Sequence, residues 1–133
     1  MIHFDINWLA VIVAIIVNMV VGSVWYSPLL FGKQWSKLIG HKMDESVGSN
    51  FGYAITTVAA VIQTFILANF IRDLNITQPM NGAYIGFLLW LAFVALTTIS
   101  DIIFAKRPIK LWLINTTYYL VVLVVNGALL AAI

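Results

Sequence analysis

The side chains that could do chemistry in this sequence are few, and most of them stand in apolar surroundings. Asn18, Gln63, Asn115 and Asn126 are amides inside long uncharged runs, accompanied by Thr97, Thr98, Tyr118 and Tyr119. Amides and hydroxyls both donate and accept hydrogen bonds, so such groups either solvate a small polar ligand or satisfy one another across packed helices. Helical spacing puts Asn115, Tyr119, Val122 and Asn126 on one face, and Trp90, Thr97 and Asp101 on another. Asn18, Tyr26, Thr97, Asp101, Asn115 and Tyr119 therefore form the candidate ligand-binding group, expected to line a polar pocket open to the cytoplasm. The alternative, hydrogen bonds that only hold helices together, stays open.

Asp101 is the one carboxylate inside an expected membrane span. A charge at the bilayer centre costs ~3 kcal/mol on insertion scales, but Asp101 lies only about one and a half turns before Arg107, near the interface. Lys106, Arg107 or a lysine of the first connection is its expected partner. A structural ion pair and a proton-carrying or substrate-binding acid are the two readings of this residue.

Catalysis finds little support. The only histidines, His3 and His41, sit in polar flanks, and no second acid joins Asp101 in a span. Paired carboxylates, a metal cluster, a Ser-His-Asp arrangement and a Gly-rich phosphate loop are all missing from the pattern, so neither an enzyme nor a cofactor is expected. With no cysteine, disulfides and zinc-thiolate sites are excluded. A net charge of +2 confined to short connections does not suit a nucleic-acid partner.

The elements that would position these residues follow from composition. Of the 133 residues 62% are hydrophobic and 9% charged, more apolar than a water-soluble domain of this size can hide. Four uncharged windows, Ile6 to Gly32, Ser46 to Ile71, Leu74 to Ser100 and Leu111 to Ile133, each exceed 20 residues. At ~1.5 Å per residue, ~20 residues cross a hydrocarbon core of ~30 Å. One all-α integral membrane domain is expected over residues 1–133, a four-helix bundle with approximate spans 6–26, 51–71, 81–105 and 108–132. Runs such as "LAVIVAIIV" lack the alternation of a β-barrel strand. The first window does not read as a cleaved signal peptide, because Asp5 and no Lys or Arg precedes it and no small-x-small site stands before Trp25.

Charge sets the expected orientation. Lys33, Lys37 and Lys42 fall in the first connection and Lys106, Arg107 and Lys110 in the third, against Arg72 alone in the second. The positive-inside rule then puts the first and third connections in the cytoplasm and both termini outside the cell membrane. Within the first connection, Phe31, Trp35, Leu38 and Ile39 share one helical face while Lys33, Gln34, Ser36 and Lys37 face away. With Trp25 and Tyr26 suited to headgroups, segment 29–40 is expected to be an amphipathic interfacial helix on the lipid bilayer, or else a loop packed on its own bundle. The following "HKMDESVGSN" reads as mobile, and the glycosylation triplet at Asn75 to Thr77 is discounted for its closeness to the membrane.

Small residues recur every fourth position: Ala10, Ala14, Asn18 and Gly22; Gly52, Thr56, Ala60, Thr64 and Ala68; Gly82 and Gly86; Gly127 and Ala131. In lipid, such stripes let helix backbones approach. They serve packing within the chain, a homo-oligomer or a membrane-protein partner, and spacing does not choose among these.

"WYSPLLFGKQW" at Trp25 to Trp35 and "RPIKLWLIN" at Arg107 to Asn115 resemble the uncharacterised family called domain of unknown function 1761. The resemblance runs from "NWLAVIVA" at Asn7 through "GAYIGFLLWLAFVA" at Gly82 to the closing "NGALLAAI". It implies a small four-helix membrane protein and no reaction, ligand or catalytic residue. Many relatives place an acid and a histidine near the start of the last helix, where this chain has Asn115 and Tyr119. The functional expectation is thus a non-enzymatic membrane protein that binds or passes a small ligand, or an accessory subunit that docks through its small-residue faces.

Overall fold

The computed structural model describes residues 2–39 and 50–133, so His41, Lys42 and all of the "HKMDESVGSN" segment but Asn50 lie outside the described residues. The described residues are helical and contain no strand: α1 (Trp8–Trp25), α2 (Gly32–Ile39), α3 (Asn50–Asp73), α4 (Pro79–Trp90), a π turn (Leu91–Ala95), α5 (Leu96–Ile103) and α6 (Ile109–Ala132). Four stretches are long and apolar enough to cross a membrane: Trp8–Trp25, Gly52–Asp73, Pro79–Ile103 and Ile109–Ala132. Each agrees within a few residues with a span expected from the uncharged windows. The third is one continuous helical stretch made of α4, the π turn and α5.

Local chemistry fixes the ends. The Asn7 side chain caps α1 by accepting from the Ala10 N–H at 3.3 Å. After Trp25 the chain turns sharply: the Ser27 hydroxyl donates to the Val24 carbonyl at 2.7 Å, Pro28 follows, and the Gly32 N–H returns to the Ser27 carbonyl at 2.9 Å. Asn75 and Lys106 take left-handed φ values of 55° and 53° beyond α3 and α5. Asparagine tolerates that conformation well, and Pro79 and Pro108 then start the next helices with no N–H to satisfy.

The last helix is the hub. α6 packs most extensively on α4, then on α1, and touches α3, α2 and α5. A third of its spanning window is buried, against 11% of the third span's. The α4–α6 contact is backbone against backbone. A Cβ added at Gly82 would fall on the Gly127 carbonyl and within 2.7 Å of the Ala131 Cβ, one at Gly86 would fall on the Leu123 carbonyl, and one at Gly127 would fall on the Gly82 carbonyl. Only glycine permits this approach, which brings Cα–H groups to carbonyl oxygens and maximises dispersion contact. Outward positions such as Ile12, Ile16, Val58, Phe93 and Leu113 remain exposed and apolar.

α3 is held differently. Ala60, Thr64, Leu67, Ala68 and Ile71 are buried, but Tyr53, Ile55, Thr56 and Val58 of its first half are exposed. Its four-residue stripe therefore splits: Ala60, Thr64 and Ala68 pack inside the chain, Gly52 is half-buried, and Thr56 spends its hydroxyl on the Gly52 carbonyl at 3.0 Å. Gly22 meets a side chain, since a Cβ there would stand 3.1 Å from the Tyr118 hydroxyl.

Candidate functional site

Three indoles and two phenols join the helices at the end of the molecule that carries Lys33, Lys37, Lys106, Arg107 and Lys110. Trp25 Nε1 donates to the Ile114 carbonyl at 3.0 Å, and Trp90 Nε1 to the Thr116 carbonyl at 2.7 Å. Trp112 Nε1 donates to Thr98 Oγ1 at 2.9 Å, while Thr98 Oγ1 donates onward to the Val94 carbonyl at 2.6 Å. The Tyr26 hydroxyl donates to Asn115 Oδ1 at 2.8 Å, and the Tyr118 hydroxyl to Asn18 Oδ1 at 2.8 Å. Rings stack around these bonds: Trp25 lies 4.8 Å from Phe31, Tyr26 is 5.3 Å from Trp35, and Tyr118 is 5.0 Å from Tyr119.

Beside this aromatic layer, α5 and α6 part around a cleft of about 140 Å³. Val94, Thr98, Asp101 and Ile102 line one wall; Leu111, Trp112, Asn115, Thr116 and Tyr119 line the other, with Arg107 at the rim. Of the six candidate ligand-binding residues, Asp101, Asn115 and Tyr119 meet in this cleft. Tyr26 reaches it indirectly by holding the Asn115 amide oxygen. Asn18 is buried and engaged with Tyr118, away from the cleft walls.

Thr97 is exposed and donates to the Ala92 carbonyl at 3.1 Å, and its neighbour Thr98 takes the place expected for it. The π turn explains the exchange. Leu91–Ala95 holds one residue more than an α-turn, with the Leu96 N–H reaching the Leu91 carbonyl, so the face that leaves Trp90 arrives at Thr98. Uniform α-spacing has no means of anticipating that shift. Thr98, Trp112 and Arg107 were not among the six candidate ligand-binding residues, although Thr98 stood out as a hydroxyl in an uncharged run and Arg107 as an expected partner of Asp101.

Two further expectations change. No ion pair joins Asp101 to a cation among the described residues; the Arg107 backbone N–H instead reaches the Asp101 carbonyl at 3.3 Å, and both side chains are exposed. Ser36, expected to face away with the lysines, is buried together with Gly32 on the helix that lies against α6. Small side chains let α2 settle on α6, which leaves Phe31, Trp35, Leu38 and Ile39 half-buried and Lys33, Gln34 and Lys37 exposed.

A second polar cluster ties the opposite end. The His3 N–H donates to Asn69 Oδ1 at 2.6 Å, His3 Nε2 lies 2.9 Å from Asp73, and Asp5 pairs with both guanidinium nitrogens of Arg72, one at 2.9 Å. The Arg72 guanidinium holds the Asp5 carboxyl below the usual carboxylate range. These contacts strap the N-terminal segment to α3. Among the described residues no group of His, Asp and Glu is arranged to hold a metal.

No curated protein and no solved structure matches the chain. The sequence model of one family, described as "Protein of unknown function (DUF1761)", matches residues 9–131, which take in every helix that builds the cleft and the glycine contact. With nearly the whole length matched, the chain belongs to that family.

Proposed function

We propose that the protein is a non-enzymatic, multi-pass protein of the cell membrane: a four-helix bundle that binds or passes a small polar ligand through the cleft between α5 and α6. Both termini face outside, the connections bearing Lys33, Lys37, Lys106, Arg107 and Lys110 face the cytoplasm, and α2 lies at the cytoplasmic interface with its lysines toward lipid headgroups. The observation that carries the ligand reading is the convergence of Asp101, Arg107, Asn115 and Tyr119 on one cleft. Groups meant only to hold helices together would be engaged with one another, as Trp112 is with Thr98. Asp101, Arg107 and Tyr119 spend no side-chain hydrogen bond on another described residue, and Asn115 spends only its amide oxygen.

The chain has no cysteine, so single thiols report on it directly. Asn115→Cys reacts with a membrane-impermeant thiol reagent applied from the cytoplasmic side, whereas Leu113→Cys, exposed on the apolar surface, does not. An unreactive Asn115→Cys in folded protein would remove the reading.

A second reading, an accessory or self-associating subunit, has its own support in α3. An open apolar groove of about 520 Å³ runs between α3 and the α4–α6 pair, lined by Gln63, Ile66, Phe70, Leu89 and Leu123. The Gln63 side chain makes no hydrogen bond among the described residues, and an amide in hydrocarbon calls for a partner. Two copies related by a two-fold axis would pair Gln63 with Gln63. Cysteines at Thr56 and Gln63 that bridge between chains in lipid support this reading; their failure to bridge in folded protein counts against it.

A further inference from the structure

The charges in the cleft select among ligands. Asp101 and Arg107 line the same space of about 140 Å³, yet they form no ion pair. They belong to opposite sides of the turn at Lys106, whose φ of 53° reverses the chain between them. Two opposite charges left apart across a shared cleft fit a guest that carries both signs.

The remaining groups complete the specification. Thr98 has spent its proton on the Val94 carbonyl and accepts from Trp112, and the Thr116 hydroxyl has spent its proton on the Trp112 carbonyl at 2.7 Å. Because Tyr26 occupies Asn115 Oδ1, the Asn115 amide is fixed with its Nδ2 hydrogens unspent. The unused inventory is therefore one carboxylate acceptor, a guanidinium, an amide NH₂ and the Tyr119 hydroxyl. Val94, Ile102 and Leu111 supply an apolar floor.

A lone anion would meet Asp101 and a lone cation would meet Arg107, whereas a guest carrying both signs finds a partner for each. Size narrows the class further. A volume of about 140 Å³ is well under the ~300–1,000 Å³ of sites for larger ligands.

We infer that the cleft takes a compact zwitterion, its ammonium on Asp101 and its anionic group on Arg107 and Asn115 Nδ2. This rests on the cleft being a ligand site. The same chemistry is offered by a free ammonium carboxylate of amino-acid size and by the headgroup of a zwitterionic phospholipid.

The full-length protein in phosphatidylglycerol nanodiscs, titrated calorimetrically with L-alanine, methylammonium chloride and sodium acetate, tests it. L-alanine binds at least about tenfold more tightly than either single-charge probe, the loss expected for one charge-assisted contact. Asp101→Asn reduces the alanine preference over acetate, and Arg107→Gln reduces it over methylammonium, with unchanged helical circular dichroism. Equal binding of all three probes, sensitive to both substitutions, would overturn the zwitterion while leaving the cleft as a ligand site. No binding of any probe, in discs where Asn115→Cys is also unreactive, would overturn both. Suppression of the alanine signal by added phosphatidylethanolamine assigns the zwitterion to the lipid headgroup, and persistence assigns it to a soluble solute; each result sustains the class.

Discussion

The third span and the last helix meet twice, in opposite ways. Toward the chain termini, Gly82 and Gly86 lie against Gly127 and Leu123 with backbone touching backbone. From Trp90 through the π turn and α5, the same two stretches stand apart, bridged by Trp90 to Thr116 and Trp112 to Thr98, with the polar cleft between them. Residue size alone separates the two regimes. Glycines bring helix axes together where lipid supplies no apolar driving force, and indoles hold them apart while spending their one donor on the facing helix. A small protein thus makes one half of a helix pair a seam and the other half a cleft.

The severest way to break this contrast is to fill the seam. Gly86→Leu places side-chain atoms on the Leu123 carbonyl and near Val124 Cα, backbone that has no rotamer to change. It should cost about 3 kcal/mol or more, at the upper end of overpacking penalties, read as a lowered unfolding midpoint in mixed micelles. Stability equal to the parent's would mean that α4 and α6 do not touch there.

Next comes the π turn. Inserting an alanine after the exposed Phe93 adds one step between Trp90 and α5 and rotates α5, so Thr97 takes the position of Thr98. Cysteine labelling by a water-borne thiol reagent should move from residue 98 to residue 97 as the cleft is rebuilt on the neighbouring side chain. Displacing Thr98 from Trp112 and repacking α5 should cost about 1–3 kcal/mol.

Tyr118→Phe is milder. It leaves Asn18 Oδ1 without its donor beside the otherwise intact glycine seam, for about 0.6–1.7 kcal/mol. The same measurement in mixed micelles checks it.

The smallest effect sharpens the comparison from the other end. Asp5 is held below the usual carboxylate range by Arg72, so the strap's contribution is present in full above that range and is lost as pH falls through the depressed value. Protection of the His3 amide, which donates to Asn69, should follow that course once corrected for intrinsic exchange rates. Asp5→Asn should remove this step and so separate it from any titration of His3 or Asp73, while the cleft stays unaffected.

What could be read from the sequence follows the range of the interactions. The four spans were legible because uncharged windows of that length have one structural outcome in lipid, and Gly82 and Gly86 because small-x-x-x-small is a local pattern. Asp101, Asn115 and Tyr119 could be singled out as polar groups at membrane depth, but not placed around a common space. Thr98 was hidden by the extra residue of the π turn, and Ser36 by the assumption that a polar side chain faces water when its smallness is what α6 requires. The pairing of Asp5 with Arg72, 67 positions apart, left no trace in any local pattern.

The central claim is that the glycine seam continues into an open, polar cleft. A high-resolution structure of the protein in lipid nanodiscs tests it most directly. The account predicts density for ordered water or a small guest within hydrogen-bonding distance of Asn115 Nδ2, between separated Asp101 and Arg107 side chains. A closed, dry contact between α5 and α6, with Asp101 bridged to Arg107, would contradict it.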